Sequence, residues 1–243
     1  MTDSRTLAQV GEFEIVALMS KVLLPPPGSS ASNVVVDLGD DAAVVSNPSP
    51  HVVAALDQMV EGRHFRCDWS SAHDVGRKAA ARSLSDIAAM GATPTALLVG
   101  LAAPGTTPVE WVVSCAEGLA HEAGLVGARV VGGDTVDGPV IMISVTALGE
   151  LHQPALRRDG ARVGDSVCIA GAIGRSAAGL TVLSRGHRQP RSLVVAHRVP
   201  SPPYSAGPIA AAAGATSMID ISDGLVADAG HIARQSGVVI NLD

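Results

Sequence analysis

Six aspartates stand in short runs bearing glycine or serine, each placed where a strand or helix should end. They are Asp41 in GDDAA (39–43), Asp57 in LDQMVEGRHF (56–65), Asp86 in SLSDIAAMGA (83–92), Asp134 in GGDT (132–135), and Asp220 with Asp223 in DISDGL (220–225). Carboxylates set this way, with no lysine in the runs to neutralise them, are hard oxygen ligands. Such ligands suit Mg²⁺, and Mg²⁺ held by one or two carboxylates usually holds phosphates too. The chemistry open to these residues is therefore Mg²⁺-dependent work on a nucleotide.

Each run also has a plainer reading. The adjacent acids of GDDAA can ligate a metal or make an Asx-turn. Asp86 lies among Ile87, Ala88, Ala89 and Met90, so its helix should be buried, and a buried carboxylate must be paired, protonated or metal-bound. An ion pair with Arg82, four residues earlier, is the plainer reading of Asp86. The two glycines of GGDT let backbone approach a ligand or make a tight turn. In DISDGL either Ser222 or Asp223 can cap the next helix, whose first amides also suit phosphate or a metal-bound anion. A lone histidine is more often structural than catalytic, but His64 follows Asp57 in a glycine-bearing loop, which raises the odds of a functional role. Gly171, Gly174 and Gly179 fit close packing of helix on strand as well as phosphate contact. The chain contains no G-x-x-x-x-G-K-[ST], GxSxG or HExxH sequence, so a P-loop kinase is excluded and no covalent nucleophile is expected.

The elements that must position these residues alternate in type. Leu7, Val10, Phe13, Leu18 and Val22 predict a helix over 7–22, ended by PPPGSSASN (25–33), a loop. NVVVDL (33–38) and HVVAAL (51–56) read as strands that could pair as a hairpin around GDDAA. A helix is expected over 72–90, opened by Ser71 with Asp74 three residues on. TALLVGL (95–101) is a strand. Thr107 as cap, Pro108 in the first turn and Glu110 mark a helix ending near Gly124. ARVVGG (128–133) and PVIMISVTALG (139–149) are strands.

The texture then turns polar at QPALRRDGARVGD (153–165), where a boundary is placed, giving domains 1–152 and 153–243. Beyond it are predicted strands at 166–171, 217–220 and 238–243. Helices are predicted near 174–184 and 205–213 and from about 223, with a proline-rich loop at 190–203. The chain stops within the last predicted strand, so the second domain is expected to be incomplete. The fold class is α/β.

At 243 residues the chain can bury a core, built mainly from alanine, valine and leucine because only five residues are aromatic. Two lysines and fifteen arginines leave a net charge of −6 with no basic stripe, which excludes a nucleic-acid partner. Bound divalent cations would reconcile that charge with an anionic nucleotide. Cys67, Cys115 and Cys168 form no CxxC and are expected as free core thiols in a reducing cytoplasm. No membrane partner is expected, since the apolar runs are strand-sized.

In this order the runs resemble the thiamine-monophosphate kinase family. It belongs to the ATP-binding superfamily of aminoimidazole ribonucleotide synthetase, selenophosphate synthetase and a hydrogenase-maturation protein. The resemblance rests on GDDAAVV (39–45), D-x-x-VEGxHF (57–65), LSDIAAMGA (84–92), VGGDT (131–135), RRDGARVGD (157–165) and IDISDGL (219–225). It implies phosphoryl transfer from ATP to thiamine monophosphate, giving thiamine diphosphate with several Mg²⁺ ions. It also implies a cytoplasmic homodimer with a barrel-like core built from the first domain, and an α/β second domain.

By match to the motifs, Asp41, Asp57, Asp86, Asp134, Asp220 and Asp223 would bind metal. Gly133, Asp134 and Ser222 would contact nucleotide, Arg158 phosphate, and His64 the substrate. Three departures stand out: Ala55-Leu56 where a hydroxyl often precedes the acid, Ser83 in place of a common asparagine, and no later GGEDYEL-like segment. The alternatives are another ATP-dependent enzyme of the superfamily, marked by a reactive cysteine or selenocysteine, or a non-catalytic divalent-metal module that ATP would not stabilise.

Overall fold

A computed structural model describes residues 4–25, 33–38 and 42–242. Four strands form one mixed sheet in the order β3-β6-β4-β5: β3 (Val52–Val60), β4 (Thr93–Ala103), β5 (Arg129–Asp137) and β6 (Met142–Glu150). β6 is antiparallel to both β3 and β4. β4 and β5 run parallel and are joined through helix α4 (Val109–Gly124), as a parallel pair requires. The chain is of the mixed α/β class.

One face of the sheet is closed by α3 (Ala72–Ala89) and α4, and the core lies between, around Met59, Leu84, Ile87, Leu97, Ile143 and Val145. Small residues let these helices touch. A methyl group on Gly76 would lie 2.0 Å from the Cys115 carbonyl oxygen, and one on Gly118 would lie 2.1 Å from that of His73. Ser71 caps α3 as expected, its side chain accepting the Asp74 amide at 3.1 Å. The buried Ser83 hydroxyl donates to the Val145 carbonyl at 2.8 Å, pinning α3 to the middle of β6.

Several expectations are corrected. The N-terminal helix divides at Gly11, whose φ of 74° suits glycine, into α1 (Leu7–Val10) and α2 (Glu12–Leu23). Ile15 enters the core there, and Phe13 is 90% exposed. The hairpin joins β1 (Val34–Val36) to β2 (Val44–Val45), while 52–60 pairs with β6. The longer apolar run wins the central sheet because it matches β6 over nine residue pairs. Most of the loop expected at 25–33 lies outside the described residues. Pro108, not Thr107, is the N-cap of α4, since a ring with no N–H loses nothing at that position.

In the second half, α5 (Arg175–Ser184), α7 (Ala206–Ala212) and α8 (Leu225–Ser236) fall where expected. The proline-rich loop contains a further helix, α6 (Arg191–Arg198). Gly179 of α5 packs against α6, where a methyl would stand 2.1 Å from the Leu193 carbonyl, so the close packing is of helix on helix and not of helix on strand. The segments 166–171, 217–220 and 238–242 form no ladder among the described residues. Their β-branched composition favours an extended chain, but a strand also needs a partner edge. All three cysteines are free, but only Cys115 is buried. No helix among the described residues is long and apolar enough to cross a membrane.

Candidate active site

Asp57 sits near the end of β3 on the helix-covered face. Its cross-strand neighbour is Val145, the residue whose carbonyl receives Ser83, so strand and helix are registered at this point. Asp86 lies one turn beyond Ser83 on α3. The Asp57 and Asp86 carboxyl groups act on each other electrostatically, and Asp220, from the second half of the chain, bears on both. Burial first, then the charges of Asp220 and Asp57, push the Asp86 carboxyl up to about 7, against the pull of Arg82. Asp220 is also raised, by burial and by Asp228, while Arg158 pulls it the other way. Three acids from three remote segments thus face one another, with Arg158 beside them.

Arg82 does not pair with Asp86, so the plainer reading of that acid fails. Its guanidinium donates to Asp57 at 3.0 Å, and its Nε is buried without a partner. The strand acid, half-buried and opposite the helix, is the more accessible counter-ion. Among the described residues no three of His, Cys, Asp and Glu stand close enough to chelate one ion. The acids are near enough to repel and too far apart to close on a single cation unaided. As a donor set they still suit Mg²⁺: all are carboxylates, and their mutual repulsion is what a divalent ion would relieve.

The other residues are distributed as follows. Asp41 lies outside the described residues. Asp134 is exposed on β5, aligned with Gly100, Ser144 and Gln58, whereas Asp57 aligns with Val145, Val99 and Gly133. Side chains alternate along a strand, so Asp134 projects from the face opposite Asp57 and the structure does not bring it to the other acids. Gly133 approaches β4 so closely that a methyl would meet the Val99 carbonyl at 2.1 Å. It rims a cavity of about 170 Å³ between α2, α4 and β5, lined by Met19, Leu23, Cys115 and Leu119. His64 is exposed, and its Nδ1 accepts the Val60 amide at 3.0 Å, closing the loop. Phe65, an aromatic near His64, is unavailable to a ligand because it is buried against Trp111.

Asp228 was not singled out from the sequence. Its carboxylate, 3% exposed, accepts the amides of Ser222, Asp223 and Gly224 at 2.9, 3.0 and 3.1 Å. It ties down the loop that leads into α8, whose N-cap is Gly224 with no side-chain cap, so neither Ser222 nor Asp223 caps the helix as expected, and both of those residues are exposed. An acid in the first turn after a glycine is the signal that could have found it. Two further ties hold the second half against the first. Tyr204 donates to the buried Glu122 at 2.7 Å, and Arg77 meets the same carboxylate at 2.7 Å. Arg198 on α6 pairs with Asp74 on α3 at 2.8 Å.

The family model of the AIR synthase related protein N-terminal domain matches residues 39–151, the stretch that supplies the sheet and helix α3. Thiamine-monophosphate kinase of Mycobacterium tuberculosis (strain H37Rv) is 44% identical over 242 residues, covering 99% of this chain and 71% of that protein. The solved thiamine-monophosphate kinase of Stenotrophomonas maltophilia K279a superposes with a TM-score of 0.81 at 32% identity, covering 94% of this chain and 73% of that one. The structure of AaThiL complexed with AMPPCP and TMP gives 0.74 at 33% identity, covering 94% and 71%. This chain belongs to the thiamine-monophosphate kinase family, and so to the kinases.

Proposed function

We propose that this chain moves the terminal phosphoryl group of ATP onto the phosphate of thiamine monophosphate. The bond from the γ-phosphorus to the ADP oxygen breaks, a P–O–P bond to the acceptor phosphate forms, and ADP and thiamine diphosphate leave. The family relatives support this reading, as does the structure of AaThiL complexed with AMPPCP and TMP. The observation that carries it is the meeting of Asp57, Asp86 and Asp220, which three parts of the chain must cooperate to assemble.

An acceptor phosphate oxygen is already anionic near neutral pH, so no strong base is needed, and no covalent nucleophile enters the reading. The difficulty is bringing two polyanions together. Asp57, Asp86, Asp220 and Asp223 would hold Mg²⁺, joined by Asp41 and Asp134 on the motif match; when bound, the ions offset phosphate charge. Arg158, close enough to bias Asp220, would carry part of the same load on the equatorial oxygens. The Gly133 and Ser222 segments would contact nucleotide, with Asp228 holding the Ser222 loop in shape. His64 would meet the thiamine substrate through Nε2, because Nδ1 is engaged by Val60.

In the same reading residues 1–152 form one domain and 153–243 another. The open face of the sheet, where Val52, Leu56, Leu98 and Val136 are exposed, would be covered by a second copy of the chain. The test is turnover of thiamine monophosphate with ATP, with and without Mg²⁺, by phosphate-resolved chromatography. Appearance of thiamine diphosphate only with Mg²⁺ is expected. Absence of product with the full set of reactants overturns the reading.

A further inference from the structure

Lys78, Arg82 and Asp86 follow one another at four-residue steps along one face of α3, about 6 Å apart along the helix axis. The acids gather at the Asp86 end, so the stripe changes sign toward Lys78. The Lys78 ammonium donates to the His64 carbonyl at 2.9 Å and makes no ion pair among the described residues. Its titratable neighbours are Arg82, one turn along, and His197 of α6.

Two cations thus share a partly buried stripe. Arg82 has one carboxylate, Asp57, and an unpartnered buried Nε, while Lys78 has only a neutral carbonyl. Burying such charges is costly unless an anion joins them. The electrostatics agree with the geometry: burial, then Arg82, push the Lys78 ammonium down to about 8, and burial with Lys78 pushes His197 down to about 4. The carbonyl that Lys78 holds belongs to the loop carrying His64.

We infer that Lys78 and Arg82 form an anion subsite that takes the phosphate group of the phosphoryl acceptor, between the His64 loop and the acids at the far end of α3. The inference rests on the proposed kinase reading and adds a binding residue that its motifs do not include. Lys78 and Arg82 would neutralise the acceptor phosphate while leaving one of its oxygens turned toward the acidic centre.

The chain has two lysines, Lys21 and Lys78, which makes a direct test possible. Pyridoxal 5′-phosphate carries an aldehyde beside a phosphate. It condenses with an amine, losing water, and borohydride reduces the imine to a stable adduct. Peptide mapping of the intact protein should find Lys78 labelled ahead of Lys21, and millimolar inorganic phosphate should suppress the Lys78 adduct. In parallel, Lys78→Gln should raise KM for thiamine monophosphate at least roughly tenfold, the worth of one charge-assisted hydrogen bond, with KM for ATP within about twofold. Lys78→Arg should recover part of the loss.

Labelling of Lys78 that phosphate does not suppress, or no labelling, overturns the subsite, as does an unchanged acceptor KM. An equal rise in both KM values overturns it too, since that outcome places Lys78 on the nucleotide or makes it a simple tether of the His64 loop. If Lys78→Gln does not fold, the labelling of the wild-type chain decides. Phosphate protection does not depend on turnover, so it tests the subsite even in a chain that failed to phosphorylate thiamine monophosphate.

Discussion

Asp86 carries the sharpest consequences. Its folded pKa, raised to about 7, lies above the ordinary carboxylate value, so the folded chain keeps a proton that the unfolded chain has released above about pH 4. That contribution to stability is complete below the unfolded value and is lost as the pH rises through about 7. The groups facing Asp86 are Asp57, Asp220 and Arg82. The melting temperature of the metal-free protein should therefore fall across this window more steeply than that of Asp86→Asn, and added Mg²⁺ should flatten the difference. Identical slopes for the two proteins would remove the claim that Asp86 is strained by its neighbours. Asp86→Asn should also abolish thiamine diphosphate formation without lowering the melting temperature, because it relieves repulsion. Asp228 has the opposite character. It satisfies three amides from a buried position, so Asp228→Ala should cost about 2–3 kcal/mol in denaturant unfolding and weaken nucleotide binding through the Ser222 loop.

Helix α3 is the element that joins the parts of the site. Its carboxyl-terminal half sets Asp86 against Asp57 through Ser83, its middle carries Arg82 and Lys78, and its first turns hold the second half of the chain through Asp74 and hold α4 through Arg77. The helix can do this only because α4 lies so close to it. Gly118→Ala would force a methyl into the His73 carbonyl and push the helices apart, at a cost of about 2–3 kcal/mol by chemical denaturation, with loss of activity in the same variant. A fully stable Gly118→Ala protein would show that the helix pair has slack that the geometry does not. The Ser71 cap and the strand at 95–101 could be read locally, because a cap and an apolar run each act over a few neighbours. The split of the first helix at Gly11 and the pairing of 34–36 with 44–45 could not, because each depends on what the rest of the sheet leaves free.

For the whole molecule, the open face of the sheet is the conspicuous surface. Leu56 is 60% exposed there and Val52 57%, with Leu98 and Val136 on the same side. Leu56→Glu should convert a dimer to monomer in sedimentation velocity while leaving the helix-covered core intact, since Leu56 points away from it. A wild-type chain that sediments as a monomer would leave that face without its proposed partner. Asp57 and Asp134 fall at alternate positions of the register, on opposite faces of one copy's sheet.

The sequence alone determined the acidic runs, the alternation of helix and strand that makes the chain α/β, the absence of a P-loop and the family resemblance. These are properties of residue type and short spacing, and short-range forces act on them directly. Which carboxylates meet is a different kind of fact. Asp57 and Asp86 are joined by the register of β3 on β6 and by the Ser83 bond to Val145. Asp220 is brought in by a helical half docked through Tyr204, Glu122 and Arg198. Arg82 chose Asp57 over Asp86, and Asp228, not Ser222 or Asp223, holds the loop before α8, because burial and distance across the fold outweighed proximity along the chain. The strands expected after residue 165 required partner edges that no local pattern supplies. Tertiary structure decided these points because an electrostatic or ladder contact depends on separation in space, which sequence separation does not fix.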